Sequence, residues 1–144
     1  MDYQFGYPFR RIRNAYEQIF NNKLRPYGIT ISQIEILAYL CVNSGRTIVL
    51  KDLEREFHLN HSTVIGIIRR LEDKGYVSSK SCDFDRRSRI IAATEAGMEF
   101  TASMKENIDS IDRLVTRNMT EEQAEQLYGL LLIAMDNLKI RKEG

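Results

Sequence analysis

Tryptophan is absent from this 144-residue chain, and proline, cysteine and histidine occur only twice each. Cys41 and Cys82 form no CxxC or other ligand spacing, which excludes a disulfide scaffold and fits a reducing compartment. His58 and His61 stand three apart with no thiol or carboxylate cluster beside them, so no metal site is expected. Neither histidine has a nucleophile or carboxylate at motif spacing, and no Gly-rich phosphate loop occurs. An enzyme is therefore not expected, and no catalytic residue or cofactor is assigned. No apolar run approaches the roughly 18 residues that span a bilayer. The N-terminal stretch also lacks the basic-then-apolar order of a signal peptide. The expectation is a cytoplasmic protein with no membrane partner.

What is present is ordinary in bulk and uneven in detail. Apolar residues make up 43% and charged residues 28%, as in a globular domain. The length suits one domain and is short for most enzymes. The net charge of +1 hides an asymmetry. Residues 1–50 carry six Lys/Arg against three Asp/Glu, and residues 58–90 carry seven against four. Residues 91–144 carry six against ten. A polyanion would be attracted to the earlier segments and repelled by the last.

Residues 60–77 organise the rest. Asn60 is a good N-cap, and Val64, Ile67, Ile68 and Leu71 follow at helical spacing on one side. At about 100° per residue, Ser62, Gly66, Arg69 and Asp73 project from the opposite side. Thr63, Ile65 and Arg70 lie on its flanks, and Gly75 supplies a left-handed stop. An apolar back and an outer face of small polar and arginine side chains suit a helix that lies in the major groove of DNA.

Before this helix, Pro8 is placed for an early helical position. Ile12, Tyr16, Ile19 and Phe20 then form a stripe ending near Arg25–Pro26, amid an excess of aromatics that reads as dimer surface ahead of ligand cavity. Thr30 and Gln33 form a capping box for a second helix whose shared face is Ile34, Leu37, Ala38 and Cys41. Thr47–Leu50 suits a brief strand. Lys51–Phe57 suits a short helix with Leu53 and Phe57 inward, and its tight connection to the next helix makes a helix-turn-helix.

After Gly75 the apolar period changes to 2. Residues 76–80 and 89–93 read as two strands joined by a polar loop, with Arg86 and Arg87 at its tip and Arg89 just beyond. Guanidinium groups there can enter a minor groove or fork onto phosphate. Thr94 then caps a long helix over 95–117, with Ile108, Ile111, Leu114 and Val115 as its buried face. A second capping box, Thr120 to Gln123, opens a helix to about residue 141 with a stripe of Leu127, Leu130, Leu131, Ala134 and Leu138. Lys139, Arg141 and Lys142 suit its last turn. The fold class expected is mainly α with a small β-hairpin wing, a winged helix-turn-helix flanked by N- and C-terminal dimerisation helices. Its divisions are residues 1–29, 30–94 and 95–144.

Segment 60–97 resembles the MarR family of winged-helix regulators. The matching residues are Ser62-Thr63-Val64, Leu71-Glu72 with Gly75-Tyr76-Val77, Asp85-Arg86-Arg87, and Thr94-Glu95 with Gly97. The resemblance implies a homodimeric transcription regulator, usually a repressor, on a pseudo-palindromic DNA site, often released by a small aromatic effector. It implies a reading-head helix over 61–74, a wing arginine at Arg86 or Arg87, and a bracing role for Asp85. It also implies dimerisation through the aromatic N-terminal helix and residues 95–141, represented by Ile12, Tyr16, Leu127, Leu131 and Leu138. Family members that sense oxidants carry a cysteine near the first helix, and this chain has none there.

The expected DNA contacts are His61, Ser62, Thr63, Ile65 and Arg69 toward bases, and Arg70, Lys80, Arg86, Arg87 and Arg89 toward backbone or minor groove. Two departures stand out. Ile65-Gly66 replaces a common Thr-Arg, so Gly66 suits close backbone approach and Ile65 a thymine methyl. Ser78-Ser79 leaves the first wing strand with few phosphate contacts. The first departure keeps an alternative open, a winged-helix protein-interaction adaptor with little specific DNA affinity.

Overall fold

The helix at the centre of the fold keeps only a narrow solvent side. It is α2, Ile31–Val42, opened by the expected capping box: Thr30 Oγ1 accepts from the Gln33 N–H at 3.4 Å, and Gln33 Oε1 accepts from the Thr30 N–H at 3.2 Å. Ile34, Ile36, Leu37 and Leu40 are all buried, as is Gln33. The expected stripe was narrower and included Ala38 and Cys41, which are only half-buried. Neighbours on several sides explain the difference. α2 packs against α1 (Gly6–Leu24), α4 (His61–Asp73), α5 (Glu95–Ser103) and strand β3 (Asp85–Ala93), so no single stripe suffices.

The computed structural model describes residues 2–82 and 85–139, apart from the side chains of 82 and 85–88. The described chain falls into two compact units, one up to Ile108 and one from Asp109 onward. In the first unit, α1 buries only Phe20 and Leu24. It runs into a 3₁₀ turn, Arg25–Tyr27, closed by Gly28 at φ 63°. Asn21 Oδ1 accepts from the Ile31 N–H at 2.8 Å and so fixes the approach to α2.

Strand β1 is Ile48–Val49, and α3, Leu50–Phe57, follows at once. Asp52 Oδ2 accepts from the Val49 N–H at 2.9 Å at the start of α3. Leu53 is fully buried, whereas Phe57 is half-buried, edge-on to Tyr39 at 5.5 Å. Strand β2 is Val77–Cys82, and the antiparallel sheet has the order β1-β3-β2. Ile48 pairs with Ile91, and Val77 pairs with Ala93. The fold class is as expected, mainly helical with a small antiparallel sheet.

The hairpin differs from expectation. Its strands run on to Cys82 and from Asp85, so the backbone of residues 85–88 is strand where a loop was expected. Ladder hydrogen bonds are made by the backbone, and polar side chains do not prevent them. The register shifts between Ser81, paired with Arg89, and Cys82, paired with Asp85. Arg86, Arg87 and Ser88 therefore stand between the two pairings, as extra residues in a bulge.

The long helix expected over 95–117 is two helices, α5 (Glu95–Ser103) and α6 (Lys105–Val115). The join is at Met104, whose N–H donates to both Phe100 O and Thr101 O, while the Ser103 hydroxyl bonds Phe100 O at 2.6 Å. That competition from a serine side chain is a known way to interrupt a helix. Of the expected buried face, Ile111 is buried, Ile108 is half-buried, and Leu114 and Val115 are exposed. In the second unit, α7 spans Glu121–Asn137 and starts with the expected capping box. It ends four residues before the expected position, with Leu138 as C-cap. Lys139 lies past its end, and Arg141 and Lys142 lie outside the described residues. No described helix is long and apolar enough to cross a membrane.

Candidate nucleic-acid interface

α3 and α4 meet at a three-residue turn. His58 takes a left-handed conformation, φ 51°, and ends α3. Asn60 then caps α4, accepting from the Thr63 N–H at 2.9 Å. Across this turn His61 Nδ1 stands 3.5 Å from Glu54 Oε1, a tie between the two helices that spacing alone did not suggest.

The back of α4 is buried as expected. Val64 and Leu71 are fully inaccessible, and Ile67 and Ile68 nearly so. Each such side chain stabilises the fold by roughly 1.5–3 kcal/mol relative to exposure, so α4 is held on the core and its opposite face is fixed in orientation. On that face His61, Ser62, Thr63, Arg69 and Arg70 are exposed. Ser62 Oγ donates to Asn60 Oδ1 at 2.9 Å.

Gly66 leaves a gap in the middle of the face. A Cβ placed there would meet only the Arg70 Nη1, at 3.9 Å. Ile65 is half-buried instead and lines a small cavity of about 50 Å³ with Leu50, Ile68, Arg69, Glu72, Arg89 and Ile91. Part of its apolar surface is thus turned toward the sheet rather than outward.

The hairpin is tied to α4 directly. The Ser79 hydroxyl donates to Glu72 Oε1 at 2.7 Å. The serine that looked like a missing phosphate contact is therefore a strut between strand β2 and the helix. Lys80 and Arg89 are exposed on adjacent strands. The side chains of Asp85, Arg86 and Arg87, including the expected bracing of the wing, lie outside the described residues.

The far end of α4 is closed by Gly75 at φ 76°. Thr94 secures it to α5: its hydroxyl donates to Gly75 O at 2.6 Å and accepts from the Gly97 N–H at 3.1 Å, and its own N–H reaches Tyr76 O at 3.0 Å. Tyr76 stacks on Phe100 with centroids 4.5 Å apart, and Tyr27 meets the same ring edge-on at 6.2 Å. Among the described residues no cluster of three or more His, Cys, Asp or Glu could hold a metal ion. The site offers hydrogen-bonding groups and cations on a core-anchored helix and on the adjoining strands, a set suited to binding.

A MarR family model matches residues 27–88, the span from the 3₁₀ turn through the hairpin. A MarR transcriptional regulator from Methanosarcina mazei Go1 superposes with a TM-score of 0.85 at 26% identity, over 94% of this chain and 97% of that one. The chain is thus similar to MarR-family regulators, in sequence over that segment and in fold along nearly its whole length. It is 25% identical over 113 residues to the HTH-type transcriptional regulator BilQ of Clostridioides difficile (strain CD3), 78% of this chain and 75% of that protein. The MarR fold is also that of S. aureus MepR in its DNA complex, with a TM-score of 0.81 at 23% identity over 95% of this chain and 100% of that one. Each of these relatives is described as a transcription regulator.

Proposed function

We propose that this chain is a MarR-family regulator that binds double-stranded DNA sequence-specifically, with α4 in the major groove and the β2–β3 hairpin toward the flanking minor groove or phosphates. The observation that carries the reading is the division of α4. Its back is buried, while Ser62, Thr63, Arg69 and Arg70 stand exposed around the open position at Gly66. A side chain at position 66 would hold the helix off a groove floor, and its absence permits close approach. The crystal structure of MepR with DNA supports the same use of the fold.

The protein acts as a homodimer on a pseudo-palindromic operator, as a repressor. Residues 30–94 read DNA, and residues 1–29 and 95–144 dimerise. Exposed apolar side chains support this assignment. Tyr3, Phe5, Tyr7 and Ile12 are 59–65% exposed at the start of the chain, and Tyr128, Leu130, Ile133 and Leu138 are 60–71% exposed on or just after α7. Tyr16 and Leu127 are half-buried, and Leu131 is 38% exposed. Release by a small aromatic effector rests on the family resemblance. The cavity beside α4, about 50 Å³, is far below the roughly 300–1,000 Å³ of a small-molecule site.

Sequencing of genomic DNA bound by the purified protein tests the reading. An enriched palindrome with half-sites about 10 bp apart, centre to centre, is expected. Absence of any enriched sequence at low salt would replace it with the protein-interaction adaptor.

A further inference from the structure

Ser62 presents a hydroxyl whose polarity is settled before any ligand arrives. Asn60 Oδ1 lies 2.9 Å from the Thr63 N and 2.9 Å from Ser62 Oγ. A backbone N–H can only donate, so the Asn60 atom facing it is the carbonyl oxygen. That oxygen can only accept, so the serine hydrogen lies along the second bond. A hydroxyl has one hydrogen and two lone pairs. With its hydrogen committed to the cap, Ser62 has only lone pairs to offer outward.

Position 66 lies one turn further on, on the same ridge of α4 as Ser62. A Cβ at Gly66 would find open space apart from the tip of Arg70, so nothing at that position holds Ser62 away from a base edge. In the major groove adenine and cytosine present an amino group, whereas thymine and guanine present carbonyl oxygens in its place. An acceptor meets the first pair with a hydrogen bond and the second with two opposed lone pairs.

We infer that Ser62 is a specificity-determining residue, held by Asn60 as a fixed acceptor that selects the exocyclic amino group of cytosine or adenine at one position of each half-site. This deepens the DNA-binding reading and rests on it. The cap thereby has two roles, starting the helix and setting which bases the next residue tolerates.

Selection from a randomised duplex library, with native protein and three variants, tests the inference. Native protein is expected to restrict one position of each half-site to cytosine or adenine by about five- to tenfold over guanine or thymine, the worth of one hydrogen bond. Ser62→Ala should lose that restriction and leave the other positions unchanged. Asn60→Gly, a substitution well tolerated at an N-cap, should free the hydroxyl hydrogen and admit guanine and thymine there. Asn60→Asp retains the acceptor and should retain the restriction. Thermal melting checks that each variant is folded. An unchanged restriction in Asn60→Gly, or a Ser62-dependent position that is guanine or thymine, overturns the inference alone. So does a normally enriched site with no Ser62-dependent position. If native protein enriches no sequence at low salt, the DNA-binding reading fails and the inference falls with it.

Discussion

Gly97 lies so close to the carbonyl oxygen of Tyr76 that no Cβ fits between them. The neighbour is backbone, and the Leu37 side chain stands at 3.2 Å on the same Cβ position, so neither side yields cheaply. Gly97→Ala is expected to destabilise the protein by about 1–3 kcal/mol, the usual cost of overpacking. Chemical denaturation followed by circular dichroism measures it. A neutral result would mean that the contact between α5 and the end of α4 is looser than the geometry implies.

Gly66→Ala should act in the opposite direction on stability. The space beside Gly66 is open, and alanine is favoured over glycine in a helix by about 1 kcal/mol. The variant should therefore unfold at higher denaturant concentration and bind DNA more weakly, because the added methyl stands on the groove-facing ridge. Gains in both stability and DNA affinity would show that close approach at this position is not used.

Glu35 gives a prediction that depends on pH. Loss of solvent at its carboxylate raises its pKa, the Glu17 carboxylate raises it further, and Arg13 opposes them. A carboxyl with a raised folded-state pKa contributes stability below its unfolded pKa and loses it as pH rises through the folded value. Glu35→Gln should therefore be the more stable protein at neutral pH, with the advantage shrinking as Glu35 protonates in acid. Melting temperatures from about pH 3 to about pH 8, an interval that brackets the ordinary glutamate value, test the sign. An advantage that grows in acid would reverse the assignment.

The dimer assignment is tested on α7. Leu130 is 64% and Ile133 60% exposed, so replacing both with glutamate removes little packing within one chain. Native protein should scatter light at twice the chain mass of 16.8 kDa, and Leu130→Glu with Ile133→Glu at the chain mass itself. Equal masses for the two proteins would remove α7 from the interface.

How much could be read from residues alone follows a physical line. The caps at Thr30, Asn60, Thr94 and Thr120 were legible because each is a local bond between residues three apart. The back of α4 was legible because one buried face repeats at 3.6 residues. α2 was less so, since a helix surrounded on several sides carries no single stripe. The break at Met104 depends on Ser103 turning back to Phe100, a choice serine makes only in context. At the candidate site, the exposed arginines were visible in the pattern. The Ser79–Glu72 strut and the Ser62–Asn60 bond were not, because nothing in residue type says which partner a hydroxyl takes.

The most direct test of DNA binding through α4 and the hairpin is the salt dependence of affinity for the selected DNA. Titrations from about 50 to 200 mM salt would compare native protein with Arg86→Ala plus Arg87→Ala, and with Arg69→Ala plus Arg70→Ala. Native affinity should fall linearly on logarithmic axes, and each lost phosphate contact should flatten the slope by about one unit. A native protein with no specific complex at low salt, or variants with unchanged affinity and slope, would contradict the account.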